Sequence, residues 1–278
     1  LIATDFTASC RNAADYAAQL AKTTGAELII FHAWTIPVMS GEIVTVPFPY
    51  PEFQDAEKKA ITNEANRIEK IWNIKVKALQ TAGYAVEEIE NCVNECKPEL
   101  VVMGMRHTDP IEWVFGSVVT AFIKRDFVPL LVIPEKSKFI LPEKILLATD
   151  LNSKIGFHVL DILKKLAASF TAEIHILNVI AEKLQPIDSI AERSGQQLQE
   201  LLKRYPHTWH YEETTDVING IFKVADEIPV QWISVIHHHI SWVKRLFHKS
   251  TARQLTFLTN IPLLVLPEQT NELKSKKS

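Results

Sequence analysis

Three segments of this 278-residue chain occur twice, in the same order. "LIATDF" at 1–6 returns as "LLATDL" at 146–151, "GAELIIFHAW" at 25–34 as "TAEIHILNVI" at 171–180, and "VPLLVIP" at 128–134 as "IPLLVLP" at 261–267. A self-similar chain must build one supersecondary unit twice, and this constrains the fold before any residue-level reading. The separation is 145 residues for the first pair (1 and 146), 146 for the second (25 and 171) and 133 for the third (128 and 261). The first copy therefore carries extra residues, and "PVMSGEIVTVPFPYP" at 37–51, rich in Pro and β-branched residues, reads as an extended loop. The division expected is one domain over 1–134, a linker over 135–143, a second domain over 144–267 and a polar tail over 268–278.

Within each copy, short apolar runs alternate with amphipathic stretches. Copy one reads as strands at 1–4, 26–34, 74–80, 99–104 and 129–134. Helices lie between them, at 9–25, 52–72, 85–96 and 117–127. Ser9 is the expected N-cap of the first helix and Gly25 its stop. The apolar face of the second helix is expected at Phe53, Ala56, Ala60, Ile68 and Trp72. Copy two repeats the pattern, with its first helix over 153–170 and its last over 250–259. Alternating strands and helices of this kind make a parallel sheet covered on both faces.

Ligands of such sheets sit beyond the carboxyl ends of the strands, where strand order reverses. Asp5, Ala33 and Gly104 end three strands of copy one. Asp5 can accept hydrogen bonds from a ribose or an adenine amine, and backbone near Ala33 can meet a base edge. The amides of Gly116, Ser117 and Val118 open a helix, where unpaired donors and the helix dipole favour phosphate. Each residue also has a plain structural use: Asp5 in a turn, Gly104 at a crowded exit, Ser117 as a cap. The loop between the two glycines opposes phosphate with Asp109 and Glu112, and Pro110 has no amide proton; Arg106 and His107 offset this in part. In copy two, Ile236 and Lys249 stand where the glycines were, which leaves Asp150 without a cradle.

Other chemistry is largely excluded. Net charge is −3, so no nucleic-acid partner is expected. No apolar run reaches the ~18 residues of a membrane span. Three cysteines, Cys10, Cys92 and Cys96, suit a reducing, cytoplasmic setting. The four-residue spacing of Cys92 and Cys96 allows two thiols on one helix face, with buried packing the preferred reading. His237, His238 and His239 lack a carboxylate or Cys in ligand spacing, so no metal is expected there. Lys244, Arg245, His248 and Lys249 read as a solvated helix start. No nucleophile elbow, Walker loop, Cys–His set or carboxylate pair is present, so the chain is not expected to be an enzyme.

The stretches "LIATDF…RNAADYAAQLAKTTGAEL", "PELVVMGMRH…FGSVV…VPLLVIP" and "ILLATDL…TAEIHILNVI…IPLLVLP" together resemble the universal stress protein family in its tandem, two-copy form. The resemblance implies two five-stranded parallel sheets of the adenine-nucleotide α-hydrolase-like type, order 3-2-1-4-5, helices on both faces. It also implies that the copies pair as a pseudo-dimer through their last strands. Some members of that family bind ATP through Gly-x2-Gly-x9-Gly-Ser/Thr. Here Gly104 and Gly116-Ser117 match the ends, His107 replaces the middle glycine, and the following gap is eight residues. The resemblance therefore implies an adenine-nucleotide site in copy one, with Mg only as the nucleotide's companion, and a dead one in copy two. The candidate set is Thr4, Asp5, Ala33, Met103, Gly104, Arg106, His107, Gly116, Ser117 and Val118. The functions implied are a stress-response binding protein or a nucleotide-free scaffold for a protein partner. Further homodimerisation stays open, and slow hydrolysis assisted by His107 ranks last.

Overall fold

The computed structural model describes residues 1–35, 50–105, 117–149, 151, 155–156, 158–180, 189–236 and 260–267. The first half runs β1 (Ile2–Ala3), α1 (Ala8–Thr24), β2 (Leu28–Trp34), α2 (Tyr50–Trp72), β3 (Val76–Ala82), α3 (Ala85–Cys96), β4 (Val101–Met105), α4 (Ser117–Arg125) and β5 (Leu130–Pro134). The second half runs β6 (Lys144–Thr149), α5 (Asp161–Phe170), β7 (Glu173–Ile180), α6 (Ser189–Leu202), β8 (His207–Glu213), α7 (Val217–Glu227), β9 (Trp232–Ile236) and β10 (Leu263–Leu266). The 37–51 loop falls outside the described residues apart from Tyr50 and Pro51, which open α2. The helix expected over 250–259 lies wholly outside them.

Each half has the strand order expected, β3-β2-β1-β4-β5 and β8-β7-β6-β9-β10. The two expected sheets are corrected to one: a single ten-stranded sheet, joined where β10 pairs antiparallel with β5 through Leu263↔Val132, Leu264↔Leu131 and Val265↔Leu130. The physical reason is the edge. Both strands are buried at every residue, and unpaired N–H and C=O groups there would be costly. Because this junction is antiparallel and the other pairings are parallel, the carboxyl ends of the two sets of strands face opposite ends of the sheet.

Period-two alternation assigns the faces. Ile2, Ile30, Val102, Leu131, Ile145 and Leu147 join the cluster under α1, α2, α5 and α6. Phe31, Val101, Met103, Val132, Leu146 and Ala148 join the cluster under α3, α4 and α7. Both apolar layers run unbroken across the junction of the halves. One polar contact crosses it in the core: the Trp232 indole Nε1 donates to the Tyr16 hydroxyl at 2.6 Å.

Three local expectations are corrected. The first helix starts at Ala8 with Thr7 as N-cap, so Ser9 is inside it and buried. Gly25 does end it, at φ 68. The buried face of α2 is Ile61, Glu64, Ala65 and Ile68, with Ala56 exposed, because Glu64 is drawn inward by a cation. Arg67 donates to Glu64 through Nε (3.0 Å) and Nη2 (2.8 Å) and to Asp15 of α1 through Nη1 (2.9 Å), while the Trp72 indole also donates to Asp15 at 3.1 Å. This cluster clamps α2 onto α1. Finally, the first helix of the second half starts at Asp161, not at residue 153.

Candidate functional site

Strand order reverses between β1 and β4: the chain moves from β1 outward to β2 and β3, then crosses back to β4 and β5. At the carboxyl edge of β1, Thr4 N–H donates to the Phe31 carbonyl (2.9 Å), the last rung of the β1–β2 ladder. The chain then turns sharply. Phe6 takes φ 63, a left-handed conformation unusual for a bulky side chain, and its N–H donates to Thr4 Oγ1 at 3.0 Å. Asp5 Oδ1 accepts from Thr7 N (3.0 Å) and Thr7 Oγ1 (2.5 Å), which launches α1. Asp5 is exposed.

A histidine that sequence reasoning passed over supports this turn. His32 is buried on β2; its Nδ1 donates to the Thr4 carbonyl (2.7 Å), and its Nε2 stands 3.2 Å from Glu57 Oε2 of α2. The Phe6 ring packs on the imidazole at 4.4 Å between centroids. The readable signal was one polar residue on the Ile30 side of an otherwise apolar strand. Cys10, on the first turn of α1, was also passed over as a site neighbour. Burial pushes its thiol up from its ordinary value, and its hydrogen-bonding neighbours there are Asp5 and Thr7.

Register brings Thr4, Asp5, Ala33, Met103 and Gly104 to one edge, with Ala3 opposite Phe31 on one side and Met103 on the other. They do not all turn side chains to a ligand. Met103 is buried in the α3–α4 layer, and Ala33 and Val118 pack against that layer. Only their backbone is available. In β2, Trp34 O accepts from Gly83 N on the β3 side and Phe31 O accepts from Thr4 N on the β1 side. By that alternation Ala33 turns its peptide groups toward β1, past the last rung. Gly104 has the structural use that the sequence also allowed, at a crowded exit. A Cβ there would lie 2.7 Å from Ser9 O and 2.9 Å from Ser9 C. Its missing side chain makes room for the backbone of α1.

Helix α4 lies between the parallel strands β4 and β5, so it runs back against them and opens at the same edge, at Ser117. Arg106, His107 and Gly116 lie outside the described residues, as do Asp109, Pro110 and Glu112. Among the described residues, no group of three His, Cys, Asp or Glu could hold a metal ion.

The second half keeps the turn and loses its surroundings. Leu151 takes φ 58 and its N–H donates to Thr149 Oγ1 at 3.3 Å, matching Phe6 and Thr4. Asn178 stands at the register of His32, since Ala148 pairs with Leu177 as Ala3 pairs with Phe31. Ile236 stands at the register of Gly104: Ile236 pairs with Leu266 and Gly104 with Ile133. Asp150, His237, His238, His239, Lys244, Arg245, His248 and Lys249 lie outside the described residues.

Comparison with known proteins agrees with the repeat. The family model described as the universal stress protein family matches residues 1–134 and again 142–267. A universal stress protein from Archaeoglobus fulgidus DSM 4304 is 18% identical, with 96% of this chain and 98% of that one covered and a TM-score of 0.71. A putative universal stress protein from Pseudomonas aeruginosa UCBPP-PA14 is 15% identical, with 91% and 87% covered and a TM-score of 0.56. A functionally unknown protein from Pseudomonas aeruginosa PAO1 is also 15% identical, with 91% and 86% covered and a TM-score of 0.52. At these identities the likeness is one of fold. No curated protein matches the chain.

Proposed function

We propose that this chain, which belongs to the universal stress protein family, is a cytoplasmic, non-enzymatic binding protein whose first domain takes an adenine nucleotide at the carboxyl edge of β2, β1 and β4. In this reading residues 1–134 form the binding domain, 135–143 the linker, 144–267 a second domain without a nucleotide, and 268–278 a tail. The observation that carries it is the strand-order reversal between β1 and β4, with the Thr4–Asp5 turn, the peptide of Ala33 and the opening of α4 on one edge. The adenine lies along Ala33, Asp5 accepts from the ribose, and the amides of Gly116, Ser117 and Val118 receive the phosphates, with Arg106 and His107 as the nearby donors. Mg enters only with the nucleotide. No helix among the described residues is long and apolar enough to cross a membrane.

One pair of observations favours the second reading, a nucleotide-free scaffold for a protein partner. Asp5 already holds Thr7, and Gly104 already makes room for Ser9. Calorimetric titration with ATP and with AMP separates the two. The first reading expects micromolar binding and at least a ~10-fold loss in Gly116→Val, about 1.4 kcal/mol, with an unchanged melting temperature without nucleotide. Absence of heat and of any thermal shift at millimolar nucleotide leaves the scaffold.

A further inference from the structure

Helix α3 carries Cys92 and Cys96 on successive turns, and the fold holds their sulfurs 4.0 Å apart. Both are free thiols. Cys92 is buried in the α3–α4 layer; Cys96, the last residue of the helix, is partly exposed, so a reagent reaches the pair from the Cys96 side. Packing does not by itself ask for sulfur here. Counted from the two N-caps, Tyr84 and Asp216, the cysteines fall at the places of Val224 and Ile228 in the second half. Val224 fills the first place inside α7, and Ile228, packed against the same layer, follows the last helical residue at the second.

The spacing suits a bridging atom better than a direct bond. A disulfide wants Cβ atoms ~3.5–4.5 Å apart, whereas residues four apart on a helix hold them ~5–6 Å apart. Two sulfurs bound to one centre at ~2.3 Å with a near-tetrahedral angle stand ~3.8 Å apart, close to the separation present. The coordination count then chooses the centre. Zinc in proteins takes at least three protein ligands, and no third His, Cys, Asp or Glu joins the pair among the described residues. A trivalent arsenic atom already carrying one organic group has two positions left.

We infer that Cys92 and Cys96 form a chelating dithiol that captures trivalent arsenicals. The reaction is a condensation. With an arylarsenoxide, two S–H bonds and the As=O bond break, two As–S bonds form, and the oxygen leaves with both protons as water; nothing is oxidised or reduced. Burial pushes the Cys92 thiol up to about 12 and disfavours its thiolate, so attack begins at the accessible Cys96 sulfur and Cys92 closes the ring, its proton leaving with the oxygen. Closing the ring needs a small rotation of Cys96, at the end of the helix, and leaves the aryl group toward solvent.

The test is intact-mass spectrometry of the reduced full chain after treatment with equimolar phenylarsine oxide at neutral pH. One phenylarsenic unit per chain is expected, stable to excess 2-mercaptoethanol and removed by 2,3-dimercaptopropanol. Cys92→Val and Cys96→Ile, which install the second-half residues, should each weaken retention ~100-fold or more, the scale of a lost second attachment. Cys10→Ala should leave it unchanged. An unmodified wild-type chain, an adduct that 2-mercaptoethanol strips, or wild-type retention in either variant would overturn the inference. The wild-type displacement result stands even where a variant fails to fold.

Discussion

At the exit of β4 the chain has Gly104; at the matching exit of β9 it has Ile236. In the first half the backbone of Ser9 and Cys10 approaches so closely that a Cβ on residue 104 would meet it at 2.7–3.0 Å, and α1 starts three residues after Asp5, at Ala8. In the second half a branched, buried side chain occupies that exit, and α5 starts eleven residues after Asp150, at Asp161. The two halves share strand order, the turn at Thr4 and Thr149 and both apolar layers. They part at the exits of β4 and β9, a glycine in one and an isoleucine in the other, and in how soon the next helix follows the first strand of the half. Whatever the first half binds at that edge, the second presents a differently built one.

The sharpest way to break this comparison is Gly104→Ile, which gives the first half the residue of the second. The added side chain meets backbone rather than a flexible neighbour, so a loss of ~3 kcal/mol or more is expected, above the usual overpacking range. Denaturant melts measure it, and hydrogen exchange should show the first turn of α1 opening most. An unchanged melt would mean that the glycine does not set the start of α1.

A smaller effect is expected from the clamp between α1 and α2. Glu64 is buried and Arg67 is its bidentate partner, so Arg67→Ala leaves a carboxylate in the interior. The cost expected is ~2–3 kcal/mol, below the fully buried case because Arg67 is partly exposed. The second half holds its corresponding helix by neutral bonds, with Gln199 accepting from the Trp209 indole (2.8 Å) and Gln197 donating to the Ile155 carbonyl (2.6 Å). Gln199→Ala should therefore cost less, ~1 kcal/mol. Equal losses from the two variants would remove this contrast.

The smallest effect is a pH slope that the second half contributes. Burial lowers the pKa of His175, with Glu173 opposing and His210 and Lys144 adding to the shift. Its Nδ1 lies 2.9 Å from His210 Nε2. The folded state holds His175 neutral more strongly than the unfolded chain does. Its stability contribution is therefore complete above the ordinary value of ~6.5 and declines as pH falls through it toward the lowered folded value. Ile29 holds this position in the first half, so His175→Ile should flatten the slope of stability against pH below ~6.5. A slope that survives the substitution would place its origin elsewhere.

Much of the fold was legible because repetition and period-two alternation are properties of local sequence. The duplicated segments marked β1, β2 and β5 and their partners, and Gly25 marked the end of α1. The face of α2 was misread because Glu64 counts as polar until Arg67 and Asp15 are brought beside it. His32 was missed for a like reason: its partners, Thr4 and Glu57, are 28 and 25 residues away in sequence. Of the candidate set, Asp5 proved to have the local turn use that its sequence allowed, Gly104 to be crowded by the backbone of Ser9, which no spacing rule reveals, and Met103 and Ala33 turned their side chains into the core.

By itself the sequence determined that one wound unit is built twice, with its strands covered on both faces, since hydrophobic period and duplication need no knowledge of distant contacts. Tertiary structure decided that the pairing of the last strands, which the resemblance implied, merges the units into one sheet joined antiparallel through β5 and β10, that the backbone of α1 is what crowds Gly104, and that the thiols of α3 touch. Each of those outcomes depends on which buried edge or side chain finds a partner far along the chain, and that is settled only when backbone groups shut away from water must be paired.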